Sequence, residues 1–297
     1  SLYKNLRLKL SLIIAFGSNM LFAQPFVDVV AINHQVMSTK TVTDSFNTKF
    51  SNTYLNVMLP LKIDSGNYFL LRLNGELLGS KTSGFNKSGS ADMRMAAIGV
   101  GWQHSFNEKF SSTLLFIPKI AGNMKDGITS NTFQMGATFL LQYRFNKNKR
   151  IKAGIYYNRE PFGNFFVPLL GADIQINERN WIYGQLPLYY RYEHRFNKKL
   201  YSGIGFRFFG RSYRLDKSLN NNYFFLQENQ FKVFFDYYLR PKFVSYIEFG
   251  RTVGYGFRQY RNGSARTDRQ LQPMEYAPVN DGWMFNFGFA YRVRQNF

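Results

Sequence analysis

The chain has 297 residues, with 32 Phe, 20 Tyr and 24 Gly, no Cys, and 38 Lys plus Arg against 18 Asp plus Glu. Zero cysteine excludes disulfide frameworks, thiolate metal sites, thiol nucleophiles and a lipid-modified cysteine at the mature N-terminus. The formal charge of +20 is spread through aromatic patterns and not gathered into one tract, which argues against a nucleic-acid partner.

At the start of the chain Lys4, Arg7 and Lys9 precede an apolar run from Leu10 to Phe22, ending at Ala23-Gln24. A positive flank, a short apolar core and small residues before a cut predict a cleaved signal peptide over 1–23. The remainder, 24–297, is expected to form one domain. After Ala23 no stretch approaches the roughly 20 apolar residues that a spanning helix needs. A membrane location for the mature chain therefore requires a closed barrel, the other structure that satisfies every backbone group in lipid.

The first predicted tight turn is Asp64-Ser65-Gly66-Asn67. It is followed by Phe106-Asn107-Glu108-Lys109, Phe145-Asn146-Lys147, Ile176-Asn177-Glu178-Arg179, Phe196-Asn197-Lys198-Lys199 and Arg240-Pro241-Lys242. Asn, Asp and Gly accept turn dihedrals and Pro presets one, so these six are read as short periplasmic turns. Longer polar segments such as 79–91 and 257–281 are expected to be outer loops.

Between the turns the pattern has period two. Phe133, Met135, Ala137, Phe139, Leu141, Tyr143 and Phe145 share one face, against Gln134, Thr138, Gln142 and Arg144. Phe231, Val233, Phe235, Tyr237 and Leu239 oppose Lys232 and Asp236. Trp283, Phe285, Phe287, Phe289, Tyr291 and Val293 oppose Asn286, Arg292 and Arg294. Rings on one face and polar groups on the other describe a strand between lipid and a polar lumen. Six turns on one rim, with both termini there, predict an all-β, transmembrane, antiparallel up-and-down barrel of 14 strands. Twelve is the alternative, because the pair at 181–196 is short. The terminal aromatic Phe297 fits the signal read by the outer-membrane barrel assembly machinery.

The stretch from Arg159 to Leu200 carries Pro161-Phe162, Pro168-Leu169-Leu170-Gly171, Asn177, Trp181, Leu186-Pro187 and Tyr192 through Asn197. In these residues the chain resembles a family of uncharacterised outer-membrane β-barrel proteins of Bacteroidota-type bacteria. The resemblance implies a barrel in the outer membrane, and brings no activity or catalytic residues with it.

With the rings facing lipid, the lumen is expected to carry Arg72, Arg144, Lys152, Arg191, Arg195, Arg207, Arg211, Lys232, Arg240, Arg292 and Arg294. Its acids are expected to be Glu76, Asp173, Glu193, Asp236 and Glu248. An excess of fixed positive charge would favour anions, and the leading expectation is a passive pore for small polar or anionic solutes. The alternative is a structural or surface-interaction barrel whose lumen is closed by an Arg–carboxylate network. Basic outer-loop residues Arg258, Arg261, Arg266 and Arg269, interrupted by Asp268 and Glu275, could meet lipopolysaccharide phosphates. An outer-membrane lipid-modifying enzyme would need a base from His34, His104 or His194. The chain has no G-x-S-x-G, H-E-x-x-H or P-loop motif, so no enzyme, cofactor or metal is expected.

Overall fold

A computed structural model of the chain describes residues 25–40, 47–84, 87–263 and 280–294. The signal segment expected at 1–23, the terminal Phe297 and the loop residues Arg266, Asp268, Arg269 and Glu275 lie outside the described residues.

The strand segments are β1 (Phe26–Lys40), β2 (Asn47–Lys62), β3 (Asn67–Gly84), β4 (Lys87–Ser105), β5 (Phe110–Gly122), β6 (Phe133–Asn146), β7 (Lys149–Glu160) and β8 (Gly163–Asn177). They continue as β9 (Asn180–Leu186), β10 (Tyr189–Arg195), β11 (Leu200–Arg214), β12 (Tyr223–Arg240), β13 (Phe243–Thr252), β14 (Gly256–Tyr260) and β15 (Trp283–Arg294). β13 and β14 pair with successive stretches of β12 and form one stave, interrupted at 253–255, where Gly254 takes a φ of +65°. β1 pairs with β15 and β11 with β12, so the ring shuts on itself. The result is a closed antiparallel barrel of 14 staves.

The outer face carries Val30, Ile32, Leu73, Ile98, Phe116, Phe139, Ile155, Ile204, Phe235, Phe249 and Phe287, all exposed and distributed around the ring. A water-soluble surface would not leave a continuous apolar belt uncovered. A barrel wall facing hydrocarbon requires one.

All six predicted turns lie on one rim, with Phe26 and Arg294 beside them; we call this the turn rim and the opposite one the loop rim. The Asn and Asp residues in these turns act through their side chains. Asn107 Oδ1 accepts from the amides of Lys109 and Phe110, both at 2.9 Å, and Asn197 Oδ1 from those of Lys199 and Leu200 at 2.8 and 3.0 Å. Asn177 and Asp64 accept from Arg179 and Gly66 in the same way. Each supplies an acceptor for amides that have just left the ladder.

The expected outer loop at 79–91 is a correction. β3 and β4 stay paired as far as Gly84 and Lys87, so that segment is the tip of a long hairpin. The small polar residues there fit a sheet standing in water as well as they fit a loop. Residues 256–260 likewise belong to a strand.

At the loop rim the wall is uneven. β9 and β10 have seven residues each, whereas the flanking β8 and β11 have 15. Beyond Arg207 the hairpin of β11 and β12 leaves the wall and crosses the mouth. Its β11 edge lands on β5, where Arg214 pairs with Gly122 and the Asn123 amide donates to the Arg214 carbonyl at 2.9 Å. Glycine permits this landing, because a Cβ at 122 would lie 2.6 Å from that carbonyl oxygen. Ser212, in mid-crossing, donates its amide to Glu160 and accepts at its carbonyl from Gln134, both at 3.1 Å. Side chains of β6 and β7 thus satisfy backbone groups that have no neighbouring strand.

Candidate functional site

The lumen is stratified. Nearest the turn rim lies an aromatic layer of Phe26, Trp181, Tyr183, Tyr201 and Tyr238. Guanidiniums are interleaved with it: Arg292 stands 3.7 Å from the Phe26 ring centre, Arg294 4.0 Å from Tyr201, and Arg191 3.5 Å from Phe234. Stacking of this kind covers Arg faces while leaving their edges free for hydrogen bonds.

Those edges meet acids. Each of the five acids expected in the lumen is buried and bonded to a cation expected there. Asp236 receives Arg292 at 2.5 Å and Arg191 at 3.3 Å. Glu248 receives Lys232 at 2.6 Å and Asn286 at 2.8 Å. Asp173 receives Lys152 at 2.7 Å, and Glu76 receives Arg211 at 2.5 Å and Asn52 at 2.7 Å. Glu193 receives Arg294, and the Tyr183 hydroxyl donates to it at 3.4 Å. Buried ions are tolerable only when paired and hydrogen-bonded in this way.

The remaining expected cations are placed differently. Arg195 faces the Trp181 ring at 5.9 Å and Arg207 the Tyr54 ring at 5.8 Å. Arg144 stands directly opposite Arg150 on the neighbouring strand. Arg72 stands on β3 opposite Met58 and Gly99, with its Nε buried. Arg240 is a correction: the register slips between Tyr238 and Arg240, and the side chain ends exposed at the turn rim.

Alternation alone missed several lumen groups. Asp28 holds Arg292 in two bonds, at 2.5 and 3.0 Å, but a register shift between Asp28 and Val30 hides it from period-two counting. Glu160, bonded to Lys119 at 2.9 Å, ends β7, and Glu228, bonded to Gln35 at 2.7 Å, lies within β12; alternation extended along each strand reaches both. Continuing Lys152, Asn158, Glu160 and Lys232, Gln230, Glu228 by twos would have found both.

Toward the loop rim the polar layer is capped by an apolar one. Met37, Phe50, Leu78, Met93, Ala121, Leu226, Tyr255 and Met284 close around Tyr213 and Leu215 of the crossing hairpin. Every stave from β12 round to β5 contributes at least one of these residues, so this sector of the mouth is filled.

The histidines are not arranged for catalysis. His104 and His194 bond Asn67 and Asn180 at 2.8 and 2.7 Å beside the turn rim, where Trp102 and Tyr192 bond the same two oxygens. Each ring also packs on a Phe, 106 or 196, at 4.7 Å. This twice-used arrangement belongs to an interfacial girdle. His34 meets Thr53 Oγ1 at 2.8 Å on the outer face, and its ring packs beside that of Phe287 at 5.8 Å. Among the described residues no cluster of three or more His, Asp or Glu could hold a metal.

No protein-family model matches the chain, and no curated protein sequence matches it. Its backbone is similar to that of an outer membrane channel from Pseudomonas putida F1, at 7% identity over 90% of this chain and 96% of that one, with a TM-score of 0.46. It is also similar to the TodX monoaromatic hydrocarbon channel in a deletion mutant, at 9% identity over 90% and 89% of the two chains, TM-score 0.42. A third likeness is to the NanC porin, at 8% identity over 89% and 100%, TM-score 0.38.

Proposed function

We propose that the chain is an integral outer-membrane barrel with its turn rim in the periplasm and its lumen closed at rest. Its role is then structural or surface-interacting, and not that of a standing pore. The observation that carries this is the burial of the lumen charges: Glu193 is 0% exposed, Asp236 and Glu76 1% and Arg292 2%. An open, water-filled channel would hydrate its lining, whereas these groups spend their charge on one another. The apolar layer around Tyr213 and Leu215 adds a second barrier.

The apolar belt supports the membrane location, and the short turns on the rim of both described ends support the orientation. The same proposal includes export by the segment 1–23, recognition of Phe297 by the assembly machinery, and membership of the Bacteroidota-type barrel family. Bilayer lipid and lipopolysaccharide are its natural contacts. Anion preference is then a property of a displaced state, in which inward Arg and Lys side chains would line the path. Planar-bilayer recording tests the proposal. The refolded wild-type barrel is expected to give no steady conductance, and an ohmic, anion-selective current would overturn the closed lumen.

A further inference from the structure

The outer wall is not convex all the way round. β12 and β13 approach closely at Gly250, where a Cβ would lie 2.2 Å from the Phe231 carbonyl oxygen, and beyond Arg207 the β11–β12 hairpin turns inward. The lipid-facing side between β10 and β15 hollows as a result. The hollow holds about 700 Å³ and is lined by Ile204, Phe206, Phe231, Phe249 and Trp283. All five project outward by the alternation of their strands, so the space opens to the bilayer and not to the lumen.

The cations that border it are of two kinds. Arg191 and Lys232 point inward and are spent on Asp236 and Glu248. Arg251 pairs across strands with Phe231 and Trp283, projects outward and is exposed. Its guanidinium stands 5.6 Å from the Trp283 ring centre, and Trp283 is stacked on Phe249 at 5.2 Å. Among the described residues no carboxylate lies within 4 Å of it. Asp281, two residues before Trp283, accepts instead from the Tyr255 amide at 2.9 Å.

Depth decides what such a charge meets. Arg251 is eight residues beyond Phe243 at the turn rim, and Trp283 is eleven from Arg294 at the same rim. Tilted strands climb roughly 2.5 Å per residue, which puts the Arg251 backbone about 20 Å above the turn rim and Trp283 near the far edge of a roughly 25 Å apolar band. An arginine at that depth extends its head along the ring toward the interface, where lipid head groups lie. Higher on the same face Ser38 stands opposite Trp283 and Lys49, with Lys40 two residues beyond it. Both lysines are exposed and form no ion pair among the described residues.

We propose that this face holds one phosphorylated glycolipid of the lipid A type, with an acyl chain in the hollow and its phosphates on Arg251, Lys49 and Lys40. A guanidinium pairs with phosphate through two parallel hydrogen bonds, and the Trp283 ring steadies that planar fork at head-group height. The number of cations chooses among occupants. A phospholipid offers one phosphate to three cations, whereas a disaccharide head with a phosphate at each end offers two. A second copy related by a two-fold axis through the hollow would set Arg251 against Arg251, a like-charge contact. The inference rests on reading the loop rim as the outer face, and it turns general contact with lipopolysaccharide into a defined site.

Native mass spectrometry of the full barrel from neutral detergent tests it, with diphosphoryl lipid A, monophosphoryl lipid A and phosphatidylglycerol as probes. Heat-modifiable migration shows that each sample is folded. Wild type is expected to retain one diphosphoryl lipid A in preference to phosphatidylglycerol. Arg251→Gln should weaken that retention at least ~10-fold, the usual scale for losing a charged hydrogen bond. Arg159→Gln, which removes another exposed outward charge on β7, should leave it as it was. Lys40→Gln combined with Lys49→Gln should erase the preference for two phosphates over one. Val233→Trp, which fills the hollow and keeps every cation, should weaken both forms of lipid A. Equal retention of lipid A and phosphatidylglycerol would overturn the proposal. So would unchanged retention in folded Arg251→Gln or Val233→Trp, an equal loss in Arg159→Gln, or a two-phosphate preference that survives the double lysine change. The assay needs no orientation in a membrane. A folded barrel that fails it overturns this site alone, whereas a conducting wild type, or a loop rim found on the periplasmic side, overturns the earlier reading and leaves the assay's result standing.

Discussion

Near the turn rim every stave is hydrogen-bonded on both sides, and the interior is a stack of rings, guanidiniums and acids. Near the loop rim β9 and β10 have already stopped, β11 and β12 cross the mouth, and a single glycine, Gly122, receives them. One half is held by many ion pairs that share partners, the other by an apolar cluster, a few backbone bonds and the Arg211–Glu76 pair. The difference teaches where the molecule can move. Displacing the crossing hairpin breaks one charged contact with the wall, Arg211 with Glu76, whereas disturbing the Asp236 hub strands two guanidiniums at once.

The hub gives the largest expected effect. Asp236→Asn leaves Arg191 and Arg292 with no full counter-charge at that oxygen pair, although Asp28 still holds Arg292. Removing one partner of a buried pair costs about 3–5 kcal/mol, so the urea midpoint for unfolding from detergent micelles should fall steeply. A variant as stable as wild type would mean that water reaches this layer and that the lumen is wetter than its packing implies.

The crossing gives the next effect and the sharpest contrast. Gly122→Val places a Cβ 2.6 Å from the Arg214 carbonyl oxygen, a backbone atom that cannot rotate away. Overpacking of this kind costs about 1–3 kcal/mol, and the hairpin can relieve it by lifting off β5. The expected result is a barrel that still migrates heat-modifiably but now conducts, with anion preference from Arg72 and Arg207. A silent Gly122→Val barrel, with its hairpin amides as protected from exchange as in wild type, would argue that the hairpin is fixed.

The turns rank third. Asn197→Ala removes the acceptor for the Lys199 and Leu200 amides. By analogy with lost caps, the expected cost is about 1 kcal/mol, read from the same urea transition, with refolding slowed more than unfolding is quickened if the turn forms early. Lumen packing and conductance should not change.

Sequence legibility follows the same division. Alternation located the lipid-facing rings and the lumen charges because a closed barrel enforces period two wherever both neighbours are in place. The Asn turns were legible because the side chain itself makes the turn. What the pattern could not carry was the departure from the wall. Residues 208–230 alternate as any hairpin does, and only their landing on Gly122, far away in sequence, shows that they run inward. The bulge that hides Asp28 and the slip that turns Arg240 outward are register events, invisible to counting by twos. The resting ion pairs were open for a related reason: a list of inward charges gives their sum, while pairing depends on which staves face one another.

The smallest effect concerns pH at the tip of the crossing hairpin, in water beyond the loop rim. Asp216 accepts hydrogen bonds from the Ser218 hydroxyl, from Asn123 Nδ2 at 2.7 Å and from the Ser218 amide at 3.0 Å, with Lys125 at 4.0 Å. These bonds, the Ser218 side chain first and Asn123 next, hold its carboxyl below the ordinary aspartate range. A carboxyl lowered on folding stabilises the folded tip fully above its unfolded pKa of about 3.9, and that contribution is lost as pH falls through the lowered value. From neutral pH down to about 5 the tip should therefore be unchanged. Below about 4 it should loosen progressively from the segment after β5. Following the Asp216 carboxyl carbon by NMR should give a midpoint below 3.9, and Asp216→Asn should abolish the acid-dependent loosening while leaving the Asp236 layer as it was. Loosening that sets in near pH 6 would point to a histidine instead, and the three His rings among the described residues are all engaged in contacts with the wall.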